Sequence, residues 1–243
     1  MTDTERTRIV VTGLGAVTPL GIGVDATWSK LLAGENAVGP TRIFDAETFP
    51  TRISAECDLA AVETALEAEG LRMPHAGRNA KFAMLAGLEA WRDAGLEGAP
   101  IDADRTGVYL GSGEGIMNFD TFANSLLDSL DDDTEVDTGA FMQHNLDRLH
   151  PIAELEQEPH LPAGHLANLF GASGPNFNTL TACAASSQAI GEAAEIVRRN
   201  DADIMIGGGC HSMIHPFGMT GFVCLTALSA RNDDPAHASR PFD

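Results

Sequence analysis

The stretch NTLTACAASSQAIGEAAEIVRRNDADIMIGGG, residues 178–209, decides the fold. A β-like run, Phe177 to Leu180, delivers the chain to Cys183. The residues that follow are almost all small: Ala184, Ala185, Ser186, Ser187, Ala189, Gly191, Ala193 and Ala194. The span Ala184 to Arg199 reads as a helix, and Asp203 to Ile206 as a second strand ending in Gly207-Gly208-Gly209. Strand, helix and strand in alternation, with glycines at the strand ends, predict a layered α/β fold. A helix of such small residues can be approached closely on every side, so it is expected to be central and buried. Cys183 would stand at its N-terminus, where unpaired N–H groups and the helix dipole favour negative charge. That position makes a thiolate more available and offers donors to an oxyanion. By local chemistry alone, a cysteine beside alanines reads first as a small buried hydrophobe.

Working outward, Gly107 to Leu110 reads as another buried strand, ending in the turn Gly111-Ser112-Gly113-Glu114-Gly115. From Asn79 to Ala94, Phe82, Leu85, Leu88 and Trp91 recur every three residues, which predicts an amphipathic helix stopping at Gly95. Arg8 to Thr12 is apolar and β-branched and reads as a buried strand. Asp25 is positioned to cap a helix through Trp28, Leu31 and Leu32 that stops near Gly34. Between about Asp120 and Glu158 the stretches DSLDDDTEVDTGAF and ELEQEP are acidic and weakly periodic, which suggests an exposed excursion.

The chain has 243 residues, enough for a substantial core in one or two domains. Lys and Arg number 15 against 35 Asp and Glu, a formal net charge of -20. Such a surface repels phosphates, so neither nucleic acid nor an anionic membrane is an expected partner. No apolar run reaches the length of a membrane span, and the polar leader MTDTERTR lacks a signal-peptide core. Cys57, Cys183, Cys210 and Cys224 are far apart and form no metal-ligand spacing, which points to a reducing, cytoplasmic setting. Cys210 and Cys224 are expected to be small buried residues. Gly13-Leu14-Gly15 after a strand invites a dinucleotide reading, but Thr18 stands where the third glycine belongs and Pro19 follows it, so that reading is rejected. His144, His150, His160 and His165 fit no common zinc spacing and read as loop histidines. No cofactor or metal is expected.

Five segments then carry a resemblance: VVTGLGAVTPLG, GVYLGSG, GPNFNTLTACAASSQAIGEA, DADIMIGGG and ALSARNDDPAHASRPFD. In this order and spacing they resemble the elongating, type II β-ketoacyl-acyl-carrier-protein synthases. The resemblance covers nearly the whole chain except roughly 120–148, which looks like an acidic insertion. It implies a thiolase-like layered α/β fold over residues 1–243, equivalent to the amino-terminal half of a duplicated architecture. It also implies that Cys183, in its T-A-C-A setting, takes the growing acyl chain. The partners implied are acyl-carrier protein and malonyl-carrier protein, with a second copy in a homodimer. Phe177 to Leu180 would lie near that subunit interface.

In such enzymes a second half supplies two histidines, a lysine and a glycine-rich turn. None of the eight histidines here stands in those motifs, so none is assigned a catalytic role. A chain of this extent is expected to place a nucleophile without completing a Claisen condensation, as a fragment or as one chain of a split enzyme. Glu114 occupies a position where relatives line the acyl pocket with an apolar residue, and a carboxylate buried there without a partner is costly. His211, where relatives typically carry Glu, reads as structural. Arg72, Arg78 and Lys81 form a basic island where related synthases dock acidic carriers, and the same island also reads as an ordinary solvated helix face. Thiolase chemistry and a non-catalytic dimerisation or scaffold half are the alternatives to synthase chemistry.

Overall fold

The computed structural model describes residues 8–113, 115 and 118–242. In chain order, β1 (Val17–Thr18) and β2 (Gly21–Ile22) form a short antiparallel hairpin that leads into α1 (Val24–Leu32). A second small ladder joins β3 (Val38–Pro40) to β4 (Ile53–Ala55), followed by α2 (Leu59–Ala68), α3 (Arg78–Asp93) and β5 (Thr106–Ser112). Then come α4 (Phe119–Leu127), α5 (Thr138–Arg148), α6 (Pro151–Leu155), α7 (Leu161–Phe170), β6 (Asn176–Thr179), α8 (Ala185–Arg198), β7 (Ile204–Cys210) and α9 (Pro216–Cys224).

The organising element is a parallel sheet in the order β6-β5-β7. β5 is its centre, in register from Val108 opposite Asn176 on one side and from Thr106 opposite Ile204 on the other. Successive side chains of a strand point to opposite faces. Val108 and Leu110 therefore enter a core with Val62 and Leu66 of α2, Met84 of α3 and Leu166 of α7. The other face carries Gly107, Gly111, Gly207 and Gly209 beside Tyr109 and Met205. A Cβ on Gly111, Gly207 or Gly209 would run into Ala185, Ala193 or Ser186 of α8 respectively. Onto this smooth face α8 lays its buried stripe Ala185, Ala189, Ala193 and Ile196. The small residues are thus explained by close approach of helix to sheet. The expectation of burial on all sides is corrected, because Ser187, Gln188, Ile190 and Gly191 are exposed. The sheet covers one face of α8, and no described residue covers the opposite one.

A second correction concerns Arg8 to Thr12, which forms no strand. Val10 and Val11 are 61% and 77% exposed. Among the described residues no strand pairs with Arg8 to Thr12, and the amino-terminal segment lies along α3 instead. Leu14 N–H donates to Asp93 Oδ2 (2.9 Å), and Ala16 N–H to Glu89 Oε2 (2.9 Å). Gly13 and Gly15 approach α3 so closely that a Cβ would enter the carbonyl oxygens of Ala90 and Ala86. These glycines therefore serve helix packing.

The helix α1 also starts differently from expectation. Gly23 is its N-cap and Asp25 lies within the first turn. The capping role passes to Glu89, whose Oε1 accepts from Val24 N–H at 2.7 Å. One carboxylate thus holds two chain segments against α3. Glu89→Ala is expected to cost about 2–4 kcal/mol, from two charge-assisted hydrogen bonds lost and their donors left unsatisfied. Urea denaturation measures this, and Glu89→Gln, which keeps one acceptor oxygen, should cost less. Unchanged stability in Glu89→Ala would contradict the tether.

The predicted helix at 79–94 is present as α3, but its most buried face is Ala80, Ala83, Met84 and Gly87. Phe82, Leu85, Leu88 and Trp91 are half-buried, with Trp91 stacked on Phe170 at 4.3 Å. The acidic excursion is helical as α4, α5 and α6, and its acidic residues have local work. Asp137 caps α5 by accepting from Gly139 and Ala140 N–H, and Asp131 accepts from Asp133 and Glu135 N–H in the turn before it. Capping uses Asp without regard to helical period, which is why this segment reads as weakly periodic.

Candidate active site

β6 ends at Thr179, and a single 3₁₀ turn, Ala182–Ala184, bridges it to α8. Cys183 stands in the middle of this turn, just before the N-cap Ala184, and is exposed. Ala182 adopts φ 52°, a left-handed conformation that strains a residue bearing a Cβ. No side chain caps α8, so its first-turn N–H groups have no side-chain acceptor, and Ala185 and Ser186 of that turn line the same cavity as Cys183. Thr181 Oγ1 donates to Gln188 Oε1 (2.8 Å) across the junction.

A cavity of about 870 Å³ opens beside Cys183. Gly111, Ser112 and Gly113 at the end of β5 form one side. Behind them Asn178 Nδ2 donates to Ser112 Oγ (2.7 Å) and to the Pro159 carbonyl (2.7 Å), which locks the ends of β5 and β6 to the start of α7. The opposite side comes from the segment after β7, with Met213, Phe217, Phe222 and Leu225 supplying apolar surface. His211 and His215 also line the cavity. His215 Nδ1 accepts from Gly218 N–H (3.2 Å) and so caps α9. His211 receives the Asn79 amide at Nδ1 (3.3 Å), and its ring lies so close to Gly113 that a Cβ there would strike it.

Of the residues singled out in the sequence, Cys183 is at the expected strand-to-helix junction. Glu114 lies outside the described residues, while its neighbours Gly113 and Gly115 line the cavity. The basic island does not form a surface. Lys81 is buried and ion-paired with Glu63. Arg78 is half-buried and donates to the Ile214 carbonyl (3.0 Å), leaving Arg72 as the exposed member. The histidines expected in loops belong to helices instead: His144 lies in α5, His160 and His150 are the N-caps of α7 and α6, and His165 lies in α7, with His150 stacked on His75 at 4.4 Å and His165 paired with Glu156. The wall formed by Met213 to Leu225 was not recognised from sequence, because nothing local to those residues marks them as facing a cavity.

The thiols divide by environment. Cys210 is buried, and desolvation pushes its pKa up to about 12. Burial also raises Cys57, partly offset by the Arg78 charge. Cys224, expected to be buried, is exposed at the last residue of α9, where the end of the helix is open. Iodoacetamide at pH 8 should therefore modify Cys183 and Cys224 in the native chain. Cys210 should stay unmodified, since three pKa units lower its thiolate population about a thousandfold. Peptide mass spectrometry reads this, and prompt alkylation of Cys210 would contradict its burial.

A parallel sheet thus presents an exposed thiol at a helix N-terminus, beside a largely apolar cavity. Residues 6–243 match the family model described as β-ketoacyl synthase, N-terminal domain, and the chain belongs to that family. It is 36% identical over 239 residues to 3-oxoacyl-[acyl-carrier-protein] synthase 2 of Coxiella burnetii, covering 98% of this chain and 54% of the relative. The enzyme of the same name from Synechocystis is 37% identical over 244 residues, with 100% and 55% covered. Among solved structures, a β-ketoacyl synthase from Burkholderia phymatum aligns with TM-score 0.73 at 29% identity, over 97% of this chain and 54% of the other. A type II polyketide ketosynthase, solved with its acyl-carrier protein, aligns with TM-score 0.71 at 26% identity, over 93% and 51%. The thiolase-like layered α/β fold is thereby shared with ketosynthases. The chain spans about half the length of the curated relatives it matches.

Proposed function

We propose that this chain is the nucleophile-bearing half of a 3-oxoacyl-acyl-carrier-protein synthase. The observation that carries the reading is Cys183, exposed in the strained turn between β6 and α8 and opening on an apolar cavity. The thiolate attacks the carbonyl of an acyl-carrier thioester, the carrier thiol leaves, and the acyl group rests on Sγ. First-turn amides of α8 are suited to hold the oxyanion formed in that attack. Malonyl-carrier protein then loses carbon dioxide, and its carbanion equivalent attacks the acyl-cysteine to form the new carbon–carbon bond and release the thiol. By the resemblance, that second step uses histidines outside residues 1–243.

The acyl carrier as partner is supported by the related ketosynthase solved with one. Arg72 remains the candidate docking residue, whereas Arg78 and Lys81 act internally. A homodimer through β6 is supported by its position at the sheet edge and by Phe177 and Leu180, both about half exposed. The same edge favours, as a second reading, a dimerisation half without catalysis. Among the described residues no helix is long and apolar enough to cross a membrane.

Incubation of the chain with a complementary second half and an isotopically labelled octanoyl-carrier thioester tests the reading. The expected result is a labelled octanoyl adduct on the Cys183 peptide by mass spectrometry. Absence of any adduct in the complete assembly would favour the dimerisation reading.

A further inference from the structure

Phe217 is where the cavity meets the helical excursion. It follows Pro216 in the first turn of α9 and lines the cavity, whereas Gly218 and Gly221 nearby on the same wall are small. Met213, Phe222 and Leu225 are the other large apolar groups on this side, and Phe217 is the ring among them that meets α4. Behind it lie two rings of α4: Phe119 at 5.0 Å and Phe122 at 5.5 Å, both edge-to-face. Phe122 in turn meets Phe141 of α5 at 5.6 Å, again edge-to-face. A chain of rings thus runs from the cavity wall out through α4 to α5. Edge-to-face packing is the favoured geometry for such rings, so the cluster holds Phe217 in one position. Phe119, Phe122 and Phe141 are not among the cavity's lining residues.

We infer that α4 sets the length of acyl chain the cavity admits, by bracing Phe217 from behind. The ligand class is an aliphatic chain, because Met213, Phe217, Phe222 and Leu225 supply apolar surface to the cavity that Cys183 lines, beside His211 and His215. The inference rests on reading this cavity as the acyl site, but not on acylation of Cys183. Phe122 acts through Phe217 and is a positioning residue.

Displacement of a dansylated fatty acid from the full chain, by saturated acids from octanoic to octadecanoic, gives the length profile. Phe217→Ala and Phe122→Ala should both move the preferred length upward by at least one two-carbon step, with about fourfold tighter binding per extra methylene accommodated. Phe217→Trp should move it downward, a change that loss of folding does not produce. The length profile is read on the free chain and acylation on the assembled enzyme, which separates the two readings. If the profile moves as expected while the assembled enzyme forms no acyl adduct, the proposed nucleophile fails and the length determinant stands. A profile unmoved by Phe217→Trp and Phe122→Ala, or no displacement by any acid, would overturn the inference even with Cys183 acylated.

Discussion

Gly111→Ala is expected to lower stability by about 3 kcal/mol or more and to disable acylation with it. Gly111 lies on the face of β5 that carries α8, and its added Cβ would fall on the carbonyl group of Ala185 and the amide of Ser186. Those are backbone atoms of the helix's first turn, so no side-chain rotation relieves the clash. α8 would have to lift from the sheet at the end where Cys183 is held, opening the buried contacts of Ala185 and Ala189. Gly208 is the matched control. It lies opposite Leu110 in the same ladder, and a Cβ there meets nothing within 4 Å. Gly208→Ala should be neutral or stabilising by up to about 1 kcal/mol, since alanine loses less backbone entropy in a strand. Urea denaturation of the two variants decides the matter. Equal stabilities would contradict close approach as the reason for the glycine face.

What could be read from one sequence follows the range of the interactions involved. The β6–α8–β7 unit was legible because strand, small-residue helix and glycine-ended strand are contiguous and each has a local period. α3 was legible in extent for the same reason, within one residue at each end. Its buried face was not, because the pattern of large residues does not show that Gly87 lies against Leu166. Arg8 to Thr12 failed for a related reason. A β-branched run states a preference for a strand, but the partner it needs is a tertiary fact, and among the described residues no strand pairs with this one. Asp25 lost its capping role to Glu89, a residue 64 positions away in sequence. Charge is equally silent about direction, since Lys81 and Arg72 look alike in a basic island but only one points to solvent. The cavity wall depends on rings of α4 meeting α9 across the fold, and nothing local marks Phe119 or Phe122 as its support. Cys183 was legible as a position from local structure. Its chemistry came from five ordered motifs, which local residues alone did not supply.

Cys183→Ala is expected to abolish acyl labelling in the assembled enzyme while leaving stability within about 0.5 kcal/mol of the parent. The second half of that expectation makes the first interpretable. The thiol is exposed and anchors no hydrophobic packing, so its removal leaves no cavity and orphans no buried partner. The turn's shape is set by its neighbours: Ala182 at φ 52°, the 3₁₀ bond from Ala184 N–H to the Thr181 carbonyl, and the Thr181–Gln188 link. Ser186 also lines the cavity, but it is packed against Gly209 and is not expected to take over as nucleophile. Ala182→Gly probes the turn itself. It removes about 1–2 kcal/mol of left-handed strain, so the chain should become more stable unless unfolded-state entropy offsets the gain. The freed turn would then fix the position of Cys183 at the start of α8 less firmly, and labelling should slow although the nucleophile is intact. Full labelling of Cys183→Ala would remove Cys183 from the reaction. Unchanged labelling kinetics in Ala182→Gly would show that the strained turn does not position it.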